Sequence, residues 1–213
     1  MTRANPFDTH VDQFEKWFED NRYVYRSELR ALEHFIPGNK RGIEIGIGTG
    51  MFAEQLGIEI GVDPSAAMAK RAREKGLDVV IGRAEKLSFR HRSFDFVLMV
   101  TTVCFIDDVE KGFSEVHRIL KSGGQFIIGM IDRGSLLGRN YVQKKSESPF
   151  FEQAEFHSVS EVLWLLNQCG FENPKVIQTV FGDLKSIRMD QDFERGHGRG
   201  GFAVIKTDKG GKS

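Results

Sequence analysis

A short β-rich run that breaks into alternating glycines constrains this chain more than any other stretch. Gly42-Ile-Glu-Ile-Gly46 reads as a strand, Gly46-Ile-Gly48-Thr-Gly50 follows at once, and Met51 to Leu56 then reads as a helix. A strand that turns into a helix within a few residues needs backbone angles that side chains resist and glycine adopts freely. The helix opens with N–H groups that have no partner of their own. The turn is therefore a place where backbone can approach a ligand and donate to it. A purely structural turn would use the same glycines, so the motif needs a second signal.

Asp63 supplies it. It ends a second strand, Ile58 to Val62, and lies 17 residues beyond Gly46. In a βαβ unit an acid there faces a ribose and can accept from both hydroxyls. An acid ahead of a helix that begins at Ser65 would also favour that helix's N-terminus. The glycine spacing then separates two nucleosides. A dinucleotide turn wants G-x-G-x-x-G, but Met51 fills its third slot. Glu44 sits two residues before the first glycine, where its charge would oppose a pyrophosphate and suits a ligand that carries an ammonium group. The pattern points to S-adenosylmethionine rather than NAD.

The rest of the chain supports an α/β fold. Asp78 to Ile81, Phe94 to Val100 and Gln125 to Ile131 read as further strands, with helices at Ser65 to Arg73 and Val109 to Leu120 between them. Strands that alternate with helices at short spacing predict a doubly wound, mostly parallel Rossmann-like sheet. Lys121-Ser-Gly-Gly124 is expected to close the second helix. Thr9 to Phe35 reads as two N-terminal helices. Residues 133–157 read as irregular, polar and dotted with aromatics. Ser158 to Cys169 is a helix. Val176 to Phe181 and Phe202 to Thr207 form an antiparallel hairpin joined by a glycine-rich loop. One domain over residues 1–213 is expected: a helical lid at 1–37, a cofactor-binding half at 38–132, an acceptor-side insertion and hairpin at 133–207, and a disordered tail at 208–213.

Charge narrows the partners. Thirty basic residues balance thirty acidic ones, so no general field draws the chain to nucleic acid or anionic lipid. No apolar run approaches the ~18 residues that span a bilayer, and Met1 to Asp8 lacks an apolar signal core. Cys104 and Cys169 are isolated, so no metal site is expected. The expectation is a cytoplasmic protein with a small-molecule partner and no membrane or nucleic-acid role. Its oligomeric state stays open.

The chain resembles the class I S-adenosylmethionine-dependent methyltransferases, in particular the methyltransferase type 11 and ubiquinone-biosynthesis-like group. The resemblance runs from Gly42 to Ile131 and rests on five segments in order: Glu44 to Gly50, Gly61-Val-Asp63-Pro-Ser, Gly82-Arg-Ala-Glu85-Lys-Leu87-Ser-Phe89, Phe94-Asp95-Phe-Val-Leu, and Glu115 to Gly124. It implies a seven-stranded sheet whose last strand is antiparallel. It also implies roles. Glu44 and the backbone of Gly46, Ile47 and Gly48, in the turn that ends at Gly50, would hold the methionine end. Asp63 and Pro64 would hold the ribose. Ala84 and Glu85 would line the adenine pocket, and Val100 and Thr101 the cleft. Arg83 departs from the pattern, because it cannot accept the bond that the adenine amino group offers.

The acceptor site should lie over the carboxyl ends of the strands. Trp17, Phe18, Tyr23 and Tyr25 are candidate lid aromatics, and Tyr141, Phe150 and Phe151 candidate acceptor walls. His157 and Tyr141 are the candidate catalytic residues, His157 as a base for an oxygen acceptor; a loop histidine beside a helix cap would look the same. Thr101-Thr-Val-Cys104 stands where nucleic-acid amine methyltransferases carry Asn/Asp-Pro-Pro-aromatic. Two other functions remain: a non-catalytic S-adenosylmethionine-binding module and an NAD-dependent oxidoreductase.

Overall fold

The computed structural model describes residues 6–211. Its strands are β1 (Gly42–Ile45), β2 (Ile60–Asp63), β3 (Asp78–Ile81), β4 (Phe94–Val100), β5 (Leu120–Ile131), β6 (Phe171–Thr179), β7 (Glu194–Arg195) and β8 (Phe202–Lys209). They form one sheet in the order β3-β2-β1-β4-β5-β8-β6-β7. Strands β1 to β5 pair in parallel. β8 inserts antiparallel between β5 and β6. The eighth strand, beyond the expected seven, is the two-residue β7 on the outer edge of β6.

The helices are α1 (Pro6–Thr9), α2 (Val11–Asp20), α3 (Arg22–Glu33), α4 (Met51–Gln55), α5 (Ala66–Glu74), α6 (Val109–Ile119), α7 (Leu136–Lys144) and α8 (Val159–Gln168). Alternation along the central strands sends side chains to two cores. Phe126, Ile128 and Ile205 pack with Phe113 of α6 and Val162 of α8. Leu98, Ile127 and Val204 pack with Leu32 of α3 and Ala69 of α5 on the other face. Two apolar faces, each covered by helices, are what a parallel sheet requires. No helix among the described residues is long and apolar enough to cross a membrane.

Four expectations change. Residues 133–157 are not irregular throughout, because α7 lies within them, capped by the Ser135 Oγ that accepts from Gly138 N at 2.9 Å. Its inner side offers only Leu137, Gly138 and Tyr141, while Leu136 and Val142 are exposed, so the apolar period is faint. Lys121 to Gly124 belongs to β5 rather than to a separate stop, and Lys121 Nζ reaches both Asp95 carboxylate oxygens at 3.0 Å. β6 begins at Phe171, with a register shift at the residues between Glu172 and Lys175. Asp208 and Lys209 are strand, with Lys209 Nζ donating to His117 O at 2.6 Å and Leu120 O at 2.8 Å. The rest of the expected tail at 212–213, like the first five residues, lies outside the described residues.

The loop from Leu87 to Phe89 is pinned from α6. Arg118 donates to Phe89 O at 2.7 Å and Leu87 O at 2.8 Å and pairs with Glu115, which accepts from Leu87 N at 2.8 Å. The Arg118 side chain, with its bonded hydrogens, holds the half-buried Glu115 carboxyl below the usual range. Arg118→Ala orphans two carbonyls and leaves that carboxylate unpaired. It should lower the unfolding free energy by about 2–3 kcal/mol. Urea denaturation would read this as a lower midpoint at constant slope; an unshifted midpoint would mean that the loop is held by its apolar residues alone.

Candidate cofactor and acceptor site

The chain runs outward from β1 through β2 to β3 and then returns to place β4 on the other side of β1. In an open α/β sheet the crevice at such a reversal is where ligands bind. A cavity of about 720 Å³ opens there, over the carboxyl ends of β1, β2 and β4.

The glycine turn forms its floor. Gly46, Gly48 and Gly50 all have left-handed backbone, with φ of 77°, 56° and 82°. Gly46 N and Ile47 N both donate to Val62 O, at 2.7 and 3.0 Å, so the turn is folded back on the end of β2. Asp63 completes the fastening. One carboxylate oxygen accepts from Gly48 N and the other from Ser65 N, each at 2.8 Å. Burial raises its carboxyl above the ordinary value, against the lowering by those two N–H groups. Two of its lone-pair sites are thus used within the protein, and the rest remain for a ligand.

Glu44 lies beside it, 1% exposed. Burial raises its carboxyl well above the usual range; the Ala53 backbone N–H lowers it, and the Asp63 charge raises it further. Oε2 is buried and has no hydrogen-bond partner. A buried acceptor without a partner is costly, and a ligand that carries an ammonium group removes that cost. The residues therefore fit S-adenosylmethionine: an orphaned acid for the ammonium and, at the end of β2, an acid with lone pairs left over for a ribose.

Most of the expected site residues meet at this cavity. Glu44, Gly46, Ile47, Gly48, Asp63, Pro64, Ala84, Glu85, Val100 and Thr101 line it. Thr101 has φ of 51°, an uncommon backbone for a threonine, at the mouth of the crevice. Gly50 does not line it; an added Cβ there would lie 2.3 Å from Leu77 Cδ1, so its role is helix packing. Arg83 turns outward to Asp107 and lies 3.5 Å from Glu85 Oε2. Glu85 also accepts from Asp107 N at 3.0 Å, so its carboxylate is committed to the loop after β4.

Trp17 and Phe18 of α2 line the cavity, as do Tyr141, Phe150 and Phe151, whereas Tyr23 and Tyr25 do not. Tyr25 packs on Phe18 and Phe52 and donates to Met51 O at 2.6 Å. His157 lies outside the cavity, on a recess of about 10 Å³ with Cys104 and Phe156. That placement separates it from any acceptor held in the main chamber. Burial pushes the Tyr141 phenol up to about 12, so near neutrality it stays protonated.

Among the lining residues to which the sequence gives no site role is Glu28 of α3, 8% exposed. The signal was there, since Glu28 falls one turn after Val24 and one turn before Leu32, inside the buried stripe of α3.

Comparison with known proteins agrees with this geometry. The family model described as a methyltransferase domain matches residues 43–128. A crystal structure from Thermotoga maritima, described as a SAM-dependent methyltransferase and possible histamine N-methyltransferase, is 45% identical. It covers 96% of this chain and 98% of its own, with a TM-score of 0.93. An uncharacterized protein of Methanocaldococcus jannaschii is 42% identical over 205 residues, 96% of this chain and 99% of the relative. Phosphoethanolamine N-methyltransferase 2 of Haemonchus contortus, solved with phosphomonomethylethanolamine and S-adenosylhomocysteine, shares the fold. Its TM-score is 0.69 at 21% identity, over 95% of this chain and 57% of that one. The T. maritima likeness extends through the helices and the C-terminal strands as well as the glycine turn, and on that ground the chain belongs to the class I S-adenosylmethionine-dependent methyltransferases.

Proposed function

We propose that the protein moves a methyl group from S-adenosylmethionine to a small-molecule acceptor by in-line displacement. The observation that carries this reading is the orphaned, buried Glu44 oxygen, which shares one cavity with Asp63 and the glycine turn. When bound, the cofactor supplies a methyl group on a positively charged sulfur. Glu44 and the turn backbone hold its amino-acid end, Asp63 and Pro64 its ribose, and Ala84 and Glu85 flank its base. Val100 and Thr101 set the floor across which the acceptor approaches. With the Glu85 carboxylate committed, the adenine amino group is met by backbone.

The remainder of the chain excludes water and aligns the acceptor. Residues 1–37 act as a lid through α2, whose Glu15 is tied to Arg71 and Lys75 of the 38–132 half. Residues 133–207 supply the acceptor side. A chamber walled by aromatic rings suits a transfer in which the sulfonium charge is lost, and positioning provides much of the rate. Tyr141 orients the acceptor as a hydrogen-bonding phenol.

Calorimetric titration with S-adenosylmethionine, S-adenosylhomocysteine and NAD in parallel tests the reading. Saturable binding of the first two and none of NAD is expected. Asp63→Ala should weaken S-adenosylhomocysteine binding by about 1.5–3 kcal/mol, the scale of charged hydrogen bonds lost in a buried site. NAD binding without either adenosyl ligand would replace this function with the oxidoreductase; adenosyl binding with no methyl transfer to any acceptor would leave a binding module.

A further inference from the structure

The cavity also holds a carboxyl group that nothing in the protein uses. Glu28 lines it in company with Val24, Leu137, Leu184 and Phe202, all apolar. Among the described residues, no side chain or backbone N–H donates to its carboxylate and no cation pairs with it; Tyr25 and Tyr141 are the polar groups that feel its charge. An ionisable group nine-tenths buried with no partner is expensive to keep. Such groups cluster where a ligand completes them.

The surroundings state what kind of ligand. Six carboxylates line the cavity, from Glu28, Glu44, Asp63, Glu85, Asp107 and Glu147. Among the described residues the one cation on its wall is Arg83, already tied to Asp107 and facing Glu85. An anionic acceptor would find no free counter-charge. A neutral acceptor without donors would leave Glu28 as costly as before. Aromatic rings close the chamber: Phe7, Phe14 and Phe150 pack with centroids 5.4 to 6.2 Å apart, and Tyr141 stands 5.2 Å from Phe151. Ring faces attract an organic cation.

We propose that Glu28 binds the methyl acceptor, and that this acceptor is a small organic amine whose nitrogen sits on the Glu28 carboxylate within the aromatic chamber. This rests on the methyl-transfer reading above. Burial pushes the Glu28 carboxyl up to about 8, which suits it to exchange a proton with an amine near neutral pH. In that exchange the N–H bond breaks, the O–H bond forms on Glu28, and the electron pair stays on nitrogen, ready to attack. The H. contortus relative was solved with a phosphate-bearing ligand; the wall here, among the described residues, offers such a ligand no free cation.

The test is calorimetry with three amines (phenethylamine, tryptamine and cyclohexylamine) against 2-phenylethanol and phenyl phosphate, each with and without saturating S-adenosylhomocysteine. At least one amine should bind the wild-type protein ten-fold or more tighter than the alcohol, and phenyl phosphate should not bind. Glu28→Gln should lose that preference at least ten-fold yet keep its S-adenosylhomocysteine affinity within two-fold. Glu28→Asp, which keeps the charge, should restore part of it. The assignment is overturned if no amine binds the wild-type protein, if phenyl phosphate binds as well as the amines, or if Glu28→Gln binds amines unchanged. Amine binding that depends on Glu28 in a protein that takes no S-adenosylhomocysteine would sink the methyl-transfer reading and leave the amine site standing.

Discussion

Glu28→Gln is expected to melt higher than the wild-type protein, by a margin that opens as pH rises from about 4.5 toward 8. Below that window the wild-type residue is a neutral carboxyl, nearly the shape of the amide, and the two proteins should melt alike. Burial holds the proton on Glu28 in the folded protein up to about 8, whereas the unfolded chain releases it near 4.5. The folded state thus binds more protons across the window, and its stability falls as pH climbs. At ~1.4 kcal/mol per pH unit the margin reaches about 3 kcal/mol at pH 7 and about 5 kcal/mol once the folded carboxyl has ionised. For a chain of this size ~2–4 °C accompanies each kcal/mol, so a rise of roughly 10 °C is expected at pH 8. Tyr25 and Tyr141 face Glu28, and with both pushed up to about 12 they stay neutral over this range. Glu44 is shifted in the same direction but titrates in both proteins and drops out of the difference. Scanning calorimetry from pH 4 to 9 reads the margin directly. Parallel curves would mean that Glu28 is solvated in solution, and the chamber is then wetter than its lining implies. A protein that keeps such a cost in its binding cavity is trading stability for recognition.

Gly46→Ala should be the most damaging single-methyl addition in the turn. A Cβ there would stand 2.3 Å from Thr102 Oγ1 and 2.5 Å from Thr102 Cγ2. Thr102 cannot readily yield, because its hydroxyl donates to Val100 O at 3.0 Å. The left-handed backbone adds ~1–2 kcal/mol of strain for a residue with a Cβ, and overpacking adds ~1–3 kcal/mol. A loss of about 3–4 kcal/mol in unfolding free energy is expected from their sum. Relief would come by moving the turn off Val62 O, so S-adenosylhomocysteine affinity should fall at least 100-fold, about 3 kcal/mol. Gly48→Ala is the control. Its φ is also positive, at 56°, but the nearest atoms to an added Cβ are those of the Phe14 ring at 3.5 Å, an ordinary contact. That variant should lose only ~1–2 kcal/mol, the backbone strain alone. Equal losses in the two variants, by urea denaturation and calorimetry, would show that the close approach to Thr102 does not govern the turn.

Much of this protein is written in short-range pattern. The strands at Asp78 to Ile81 and Phe94 to Val100 and the Ser65 cap of α5 stand where the sequence puts them. Strand alternation, caps and glycine turns are set by neighbours a few residues apart, so they can be read without a fold. Glu44 and Asp63 were legible for the same reason, since each is placed by its distance from the turn that it serves. Other features needed the assembled chain. α7 carries a faint stripe because its inner side faces a cavity instead of a packed core. The length of β5 depends on Leu120 pairing with Phe94, across 26 residues of chain. Arg83 looked like a failed adenine contact until the fold brought Asp107 beside it. His157 and Tyr141 stood as equal candidates in sequence, and only the path of residues 133–157 put the phenol in the chamber and the imidazole outside it. Glu28 is the sharpest case. Sequence determines that a charged residue interrupts the buried stripe of α3; whether it meets a partner, bulk water or an empty chamber depends on what α7, the turn at Leu184 and β8 bring to that face, and long-range packing alone decides that.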